Sequence, residues 1–187
     1  MIRDVVITGV GCLLARAPSV AALRPGAAVG SAARLPDPLP RPAAWACRAP
    51  RLARMDRFSQ VTFLAAHEAF LAADLATRPP RPEGFGLCLG TAYGCHAVNE
   101  DFYRGLLRDG ARGASPRLFA YTLPSSPVGE AAIAFAARGP VLTLAQGWDA
   151  GLAAAAEAAR LCHHGQAEVV IAGGSDVLSA TLLALLA

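Results

Sequence analysis

Short apolar runs alternate with longer stretches of helical spacing along most of the chain. Four runs predict β-strands: Val5–Thr8, Phe85–Leu89, Val141–Ala145 and Val169–Ala172. Each run is short and almost entirely apolar, which is typical of strands that are covered on both faces. The pattern therefore predicts a sheet that lies between two other layers.

Apolar residues at helical spacing predict five helices: Ser59–Leu75, His96–Arg108, Val128–Ala137, Asp149–His163 and a segment from Thr181 onward. Ser59 is the predicted N-cap of the first helix, and Gly165 is the predicted stop signal of the fourth. Helices that alternate with strands at this spacing indicate βαβ units. The predicted fold class is α/β, with a mostly parallel sheet and helices on both of its faces.

Two segments depart from this regular alternation. Residues 18–50 contain seven prolines and show no periodicity, so we expect an irregular excursion within one domain that spans residues 1–187. The helix Asp149–His163 is alanine-rich, with small side chains on nearly every face. Such a helix lets other elements approach closely from several sides, yet the chain supplies only one sheet. We therefore expect something outside these elements to cover part of that helix.

Composition limits the range of functions. The chain is 54% hydrophobic and 17% charged, with a net charge of +3, and all its basic residues are arginine. The absence of lysine excludes a Schiff-base or general-base lysine, and the charge is too small and scattered to indicate nucleic-acid binding. Five irregularly spaced cysteines predict a reducing, cytoplasmic location. No run is long enough for a membrane span, and a signal peptide is the less favoured interpretation of the N-terminus.

A series of motifs, in order and at family spacing, resembles the N-terminal half of the β-ketoacyl-acyl-carrier-protein synthases, which belong to the thiolase-fold superfamily. The matching stretches are residues 5–11, 55–60, 89–94, 115–119, 123–124, 138–140, 151–152, 157–160 and 169–176. Together they cover nearly the whole chain. The resemblance implies one half of a thiolase-like fold.

The same resemblance implies a nucleophilic cysteine between a strand and the following helix, whose N-terminus lowers the thiol pKa. Gly139-Pro140 and Gly151-Leu152 both align this cysteine position with Trp148. An indole has no nucleophilic atom for acyl transfer, and it is large enough to fill the thioester pocket. The alternative interpretation of Trp148 is a plain core aromatic. Neither interpretation provides a catalytic residue, and we predict no cofactor and no metal.

The function implied by the resemblance is that of a non-catalytic subunit. In type II polyketide systems a chain length factor pairs with an active ketosynthase and helps to shape its acyl tunnel. Glutamine commonly replaces the nucleophile in that family, whereas here Gln146 stands two residues earlier. The expected partners are a full-length β-ketoacyl synthase, which would supply the cysteine and two catalytic histidines, and an acyl carrier protein. Short single-half versions resemble ketosynthase-like proteins of aryl-polyene clusters.

The resemblance also implies where the partner binds. Val141–Ala145 would pair with its counterpart across a dimer two-fold axis, because an edge strand exposes unpaired N–H and C=O groups. The predicted interface and tunnel residues are Phe119, Tyr121, Ile133, Phe135, Leu142, Leu144, Gln146 and Trp148. A basic cluster is either a solvated entry segment or a contact for an acidic carrier protein, and it consists of Arg48, Arg51, Arg54 and Arg57.

Other readings of the sequence remain. A small acyltransferase or thioesterase could use Cys95 beside His96, although catalytic pairs normally meet in space and not in sequence. A degraded remnant without function is a third reading. Cys162-His163-His164 is interpreted as a polar helix end, because three consecutive residues cannot all point at one ion. The glycine pairs at 9–11 and 173–174 are interpreted as turns rather than phosphate-binding loops.

Overall fold

The computed structural model describes residues 4–15, 19–20, 34–42, 45–47 and 52–186. Within these residues the chain forms three strands and six α-helices, joined by short 3₁₀ turns. In chain order they are α1 (Arg57–Ala72), β1 (Phe85–Thr91), α2 (His96–Asp109), α3 (Pro116–Phe119), α4 (Ser126–Phe135), β2 (Val141–Ala145), α5 (Ala150–His163), β3 (Val169–Gly174) and α6 (Ala180–Leu186).

The three strands form a parallel sheet in the order β2-β1-β3. Leu87 pairs with Val141 of β2 and with Ile171 of β3, so β1 is bonded on both sides. All seven residues of β1 are buried, whereas most residues of β2 and β3 are partly or fully exposed. The predicted parallel sheet is confirmed, with β2 and β3 as its edges among the described residues.

Side chains of β1 alternate between two helical layers. Phe85, Leu87 and Leu89 join the main core, which contains side chains of α1 and α4. Cys88 points the other way and packs with Ala154 and Ala158 of α5. Because successive strand residues face opposite sides, one short strand connects both layers. The prediction of helices on both faces is confirmed.

The main core is centred on stacked aromatic rings. Phe135 at the end of α4 stacks on Phe63 and Phe70 of α1, with ring centroids 5.4 and 4.8 Å apart. Phe63 is completely buried. These contacts fix α1 and α4 side by side on one face of the sheet.

Helix α5 lies unusually close to the sheet. A Cβ atom added at Gly90 would lie 2.0 Å from the Ala150 carbonyl oxygen, and one added at Gly151 would lie 3.1 Å from Gly174 Cα. Only glycine allows this approach at the start of the helix. The buried stripe of α5 is Ala150, Ala154, Ala158 and Leu161. The opposite side of α5 is uncovered in the described part of the chain, where Leu152 is 79% exposed.

The first helix begins earlier than the sequence pattern suggested. Asp56 is the N-cap of α1, and its carboxylate accepts hydrogen bonds from the backbone N–H groups of Phe58 and Ser59 at 3.2 and 3.1 Å. The prediction of Ser59 as N-cap was wrong, because Ser59 lies inside the first turn and is buried. An extended aspartate three residues earlier satisfies the free N–H groups instead.

The predicted N-terminal strand is not formed. Val6 and Ile7 are 75% and 87% exposed, and residues 4–10 have no strand conformation. The chain then turns onto α1, where the Cys12 N–H donates to Glu68 Oε2 at 2.7 Å. A β-branched segment becomes a strand only when a neighbour supplies backbone partners, and no strand of the described residues lies beside it.

The described parts of the proline-rich excursion pack on α1 without forming an α-helix or a strand. Leu39 joins a small buried cluster with Leu13 and Val61. Arg57 donates from Nη2 to the carbonyl oxygens of Leu35 and Pro36 at 3.2 and 2.6 Å.

Among the helices of the described ranges, none is long and apolar enough to cross a bilayer.

Candidate functional site at the carboxyl edge of the sheet

The carboxyl ends of the three parallel strands meet at one edge of the sheet. The turn Ala92–Gly94 follows β1, the loop Gln146–Asp149 follows β2, and Ser175 and Asp176 follow β3. In open parallel α/β sheets, ligands bind outside this edge. The three loops therefore define the candidate site.

Trp148 lies at the start of α5, immediately before the N-cap Asp149. Gly147 has φ +100°, which allows the sharp turn from strand to helix, and the Ala150 N–H donates to its carbonyl oxygen at 3.1 Å. The Trp148 side chain is 82% exposed. The interpretation of Trp148 as a core aromatic was wrong, because neither α5 nor the sheet encloses the indole.

One aromatic neighbour contacts the Trp148 indole in the described structure. The rings of Tyr93 and Trp148 are 5.4 Å apart and perpendicular to each other. This edge-to-face arrangement is a favoured aromatic geometry and stabilises a pair by about 0.5–1.5 kcal/mol. Tyr93 on the β1 turn therefore supports the indole on the β2 loop.

A carboxylate from the third loop fixes the β1 turn. Asp176 Oδ1 accepts from the Thr91 hydroxyl at 2.7 Å and from the Tyr93 N–H at 2.8 Å, and both of its oxygens lie within 3.1 Å of the Ala92 nitrogen. The Thr91 oxygen in turn accepts from the Gly94 N–H at 2.8 Å. Hydrogen bonds to an ionised group are stronger than neutral ones. The loops after β1 and β3 are therefore joined.

Three of the described cysteines, Cys47, Cys88 and Cys95, are not activated thiols. Burial raises the pKa of Cys88 and Cys47 to about 11. Burial also raises the pKa of Cys95, whose Sγ donates to the Thr122 carbonyl at 2.8 Å. A thiol needs a lowered pKa and access to solvent to act as a nucleophile at neutral pH. The acyltransferase or thioesterase reading with Cys95 is therefore not favoured.

The histidines have structural surroundings. His96 is the first residue of α2, and its Nδ1 lies 3.9 Å from Glu100 Oε2 one turn further along the same helix. The rings of His163 and His164 meet edge to face at the end of α5. Across the described ranges, no three His, Cys, Asp or Glu side chains are placed to hold a metal ion.

The predicted interface residues divide into surface and core. Exposed side chains are those of Phe119, Leu142, Ile133, Gln146 and Trp148, and Leu144 is half-buried against α5. Tyr121 and Phe135 are only 8% exposed. Tyr121 donates from its hydroxyl to Glu130 Oε1 at 2.8 Å, and its pKa is raised to about 12, first by burial. This chain's own core encloses these two side chains, so they offer little surface to a partner, unlike the exposed members of the predicted interface.

The predicted basic cluster is only partly visible. Arg48 and Arg51 lie outside the described residues, and Arg54 is exposed. Arg57 is half-buried, with its guanidinium bonded to backbone carbonyls and 3.6 Å from Asp37. Arg57 is therefore occupied within the chain, and Arg54 is the exposed arginine among the described members of this cluster.

Sequence reasoning assigned no role to Tyr93 or Asp176. Both residues belong to motifs that carried the family resemblance, at residues 89–94 and 169–176. The order of these motifs could have indicated their meeting, because loops after parallel strands share one edge. The hydrogen bond between the Tyr93 N–H and the Asp176 carboxylate could be identified only from the structure.

Comparisons with known proteins agree with this architecture. The family described as "Beta-ketoacyl synthase, N-terminal domain" matches residues 39–184. Nodulation protein E of Rhizobium sp. (strain N33) is 34% identical over 126 residues, which is 67% of this chain and 31% of that protein. Actinorhodin polyketide putative beta-ketoacyl synthase 1 of Streptomyces coelicolor is 36% identical over 132 residues, which is 67% of this chain and 28% of that protein. Each match covers less than a third of the relative.

Two solved structures share the fold along most of the chain. A type II polyketide synthase ketosynthase in complex with its acyl carrier protein (AntDE:AntF) superposes with a TM-score of 0.79 at 26% identity, covering 100% of this chain and 55% of that one. The ishigamide ketosynthase/chain length factor gives a TM-score of 0.60 at 30% identity, covering 70% of this chain and 37% of that one. The thiolase-like ketosynthase fold is confirmed, and the chain belongs to the β-ketoacyl synthase family through its N-terminal domain.

Proposed function

We propose that this chain is a non-catalytic, ketosynthase-like subunit that pairs with a full-length β-ketoacyl synthase and helps to shape the partner's acyl tunnel. The observation that carries the proposal is Trp148 at the start of α5, the position that the family resemblance assigns to the nucleophile. A helix N-terminus at this point stabilises a thiolate, and an indole cannot make use of that field.

The surface around α5 supports a role in assembly. Trp148 and Leu152 are 82% and 79% exposed. Large apolar side chains that cluster on a surface mark sites of protein–protein contact, and tryptophan is enriched among the residues that dominate binding. An indole at this position would anchor a partner instead of forming a thioester.

The outer edge of β2 offers a second contact. β2 pairs with β1 on one side, and no strand of the described residues pairs with its other side. Val141 and Leu142 are 38% and 37% exposed. A free parallel edge accepts a strand from another chain by backbone hydrogen bonding. We place the partner ketosynthase along this edge.

The similar proteins give the proposal its partner class. One solved neighbour is a ketosynthase/chain length factor, and another is a ketosynthase in complex with an acyl carrier protein. By analogy, the partner of this chain is a β-ketoacyl synthase that receives acyl groups from a carrier protein. The narrower form of the proposal, an aryl-polyene system, is tested by identifying the product.

The decisive experiment is co-expression with a candidate ketosynthase, followed by co-purification and product analysis with and without this chain. We expect a stoichiometric complex and a product distribution that depends on the chain. A matched arm offers the purified chain alone an acyl thioester and an extender. Uptake and elongation of the acyl group in that arm would show that the chain is an enzyme and would end the proposal.

A further inference from the structure

Asp176 is exposed, yet its carboxylate accepts hydrogen bonds from three groups of the β1 end and the turn after it. Its carboxylate receives the Thr91 hydroxyl and the backbone N–H groups of Ala92 and Tyr93, all between 2.7 and 3.1 Å. Thr91 is only 1% exposed, so that hydroxyl has little access to water as a replacement partner. One side chain thus holds a turn that lies about 85 positions earlier in the sequence.

The backbone that carries Asp176 is itself fixed. The Ser175 N–H donates to the Gly90 carbonyl oxygen at 3.0 Å, and the hydroxyls of Ser175 and Thr62 of α1 are hydrogen-bonded to each other at 2.9 Å. The loop after β3 is therefore tied to the central strand and to one helical layer. Asp176 extends from a rigid base toward the turn after β1.

The turn after β1 carries the ring that touches Trp148. Gly94 has φ +55°, a conformation that favours glycine, and its N–H is bound by Thr91 Oγ1. The side chain of Tyr93 extends from this turn, and its ring meets the exposed Trp148 indole edge to face at 5.4 Å. The contacts run in series from Asp176 through the turn to Tyr93 and then to Trp148.

We infer that Asp176 is a positioning residue: by holding the Ala92–Gly94 turn, it places Tyr93 so that Tyr93 supports the Trp148 indole at the carboxyl edge of the sheet. The inference rests on the proposed function only for what the indole does in a complex. The positioning itself is a property of this chain and is measured without a product assay.

The test uses the full-length chain labelled with 5-fluorotryptophan and observed by ¹⁹F NMR. The chain contains two tryptophans, Trp45 and Trp148, so the spectrum has an internal control. Trp45 packs against Phe63 and His67 near the core, whereas Trp148 packs against Tyr93. We expect Asp176→Ala to move the Trp148 resonance to the position that it has in Tyr93→Leu, while the Trp45 resonance stays in place.

A double-mutant cycle separates positioning from a general structural role. If Asp176 acts through Tyr93, the variant carrying both Asp176→Ala and Tyr93→Leu shows no further shift beyond either single variant. Asp149→Asn is the matched control, because Asp149 lies beside Trp148 but its side chain makes no capping hydrogen bond. A shift of equal size in Asp149→Asn would assign the effect to charge and would overturn the inference.

The remaining outcomes are also decisive. An unmoved Trp148 resonance in a folded Asp176→Ala protein overturns the inference. If Asp176→Ala fails to fold and moves both resonances, Asp176→Asn takes its place, because it keeps one oxygen but turns an amide N–H₂ toward the Ala92 N–H. We expect a partial shift of Trp148 alone in that variant, and no shift overturns the inference. Failure of the proposed function would instead appear as no complex and no change in product, with the NMR result intact.

Discussion

At the scale of single residues, Trp148 combines a large exposed apolar surface with a fixed position. Its backbone lies in the strand-to-helix turn that Gly147 permits, and its ring meets Tyr93 at a defined angle. A rigid aromatic side chain loses little conformational entropy on binding, which makes it an efficient contact. Trp148 therefore has the properties of an interface anchor on a prearranged loop.

Replacing the indole by a thiol tests the electrostatics of this turn. We predict that Trp148→Cys introduces a cysteine that iodoacetamide labels at pH 7–8, because the N-terminus of α5 stabilises the thiolate. The native Cys88 and Cys47 have pKa values raised to about 11, so their thiolate fraction stays small until the pH exceeds about 10. Mass spectrometry after labelling across pH 6–11 measures each site.

The sign of this pH dependence follows from the protonation states. A raised thiol pKa keeps the thiol neutral at pH 7, and labelling rises only as the pH approaches that pKa. The new cysteine should react at lower pH than Cys47 and Cys88, with the unchanged protein as the control. Equal labelling profiles for position 148 and Cys47 would contradict a stabilising field at the start of α5.

The family resemblance aligned Trp148 with the nucleophile position, but the sequence did not predict which residues surround its side chain. Two glycine-containing anchors fixed the register, whereas exposure depends on which elements pack over the loop. Phe135 shows a signal that could have been read from the sequence. Val128, Ala131 and Phe135 lie on one helical face and are buried, while Ile133 lies on the other face and is 65% exposed. Helical periodicity could therefore have assigned Phe135 to the core, although the family resemblance led us to place it at the interface.

At the scale of elements, the start of α1 depends on a single carboxylate. We predict that Asp56→Ala lowers the free energy of unfolding by about 1 kcal/mol, because two N–H groups of the first turn lose their acceptor. Ser59→Ala is the matched control, since Ser59 Oγ is buried and has no hydrogen-bond partner among the described residues. Urea unfolding measures both variants.

Comparing Asp56→Ala with Ser59→Ala distinguishes the observed N-cap from the N-cap that the sequence pattern suggested. Removing an unsatisfied hydroxyl is expected to be close to neutral. A larger loss of stability for Ser59→Ala than for Asp56→Ala would show that the helix begins at Ser59 after all.

The contact between α5 and β1 tolerates only small side chains. Ala154 is completely buried against Cys88, whereas Ala155 is on the exposed side of the same helix. We predict that Ala154→Leu lowers the free energy of unfolding by about 1–3 kcal/mol through overpacking. Ala155→Leu should change it by less than about 0.5 kcal/mol. Thermal and urea unfolding compare the two variants, and equal effects would contradict the close packing of this layer.

Elements with a strong local pattern were predicted well. The bounds of β2 were predicted without error, and β1 continued two residues further, because Gly90 and Thr91 still pair with β2. Val5–Thr8 shows where local pattern fails. Its β-branched residues suit a strand, but strand formation needs a neighbour in space, which sequence alone does not provide.

At the scale of the whole molecule, the two faces of the sheet are covered differently. α1 and α4 form a thick aromatic layer on one face, and α5 alone lies close against the other. The family resemblance predicted this α/β architecture because motif order preserves topology. The alanine-rich pattern of α5 led us to expect a cover from outside these elements, and Leu152 is exposed on the side of α5 that faces away from the sheet. The identity of what covers this side belongs to the proposal.

The chain length of the products made by the co-expressed pair is a test of the proposed function. Ile133 is 65% exposed on α4. If its side chain reaches the partner's acyl tunnel, Ile133→Phe narrows the tunnel and should shift the products toward shorter chains, while Ile133→Ala shifts them toward longer ones. Mass spectrometry of the products made by the co-expressed pair measures the distribution.

Leu107→Phe provides the matched control for that experiment. Leu107 is 84% exposed on α2 and does not belong to the predicted interface. It should leave the distribution unchanged. An unchanged distribution in both Ile133 variants, with complex formation intact, would remove this residue from the tunnel.

The central position of β1 has a consequence for how the molecule opens. Its amides are bonded on both sides and its side chains are buried on both faces, so they can exchange with deuterium only when the sheet separates as a whole. The outer amides of β2 need no such event. Deuterium uptake should therefore spread inward from the two sides of the sheet, and the slowest peptide should come from the segment Phe85–Thr91, with a partner bound along β2 delaying uptake on that side alone.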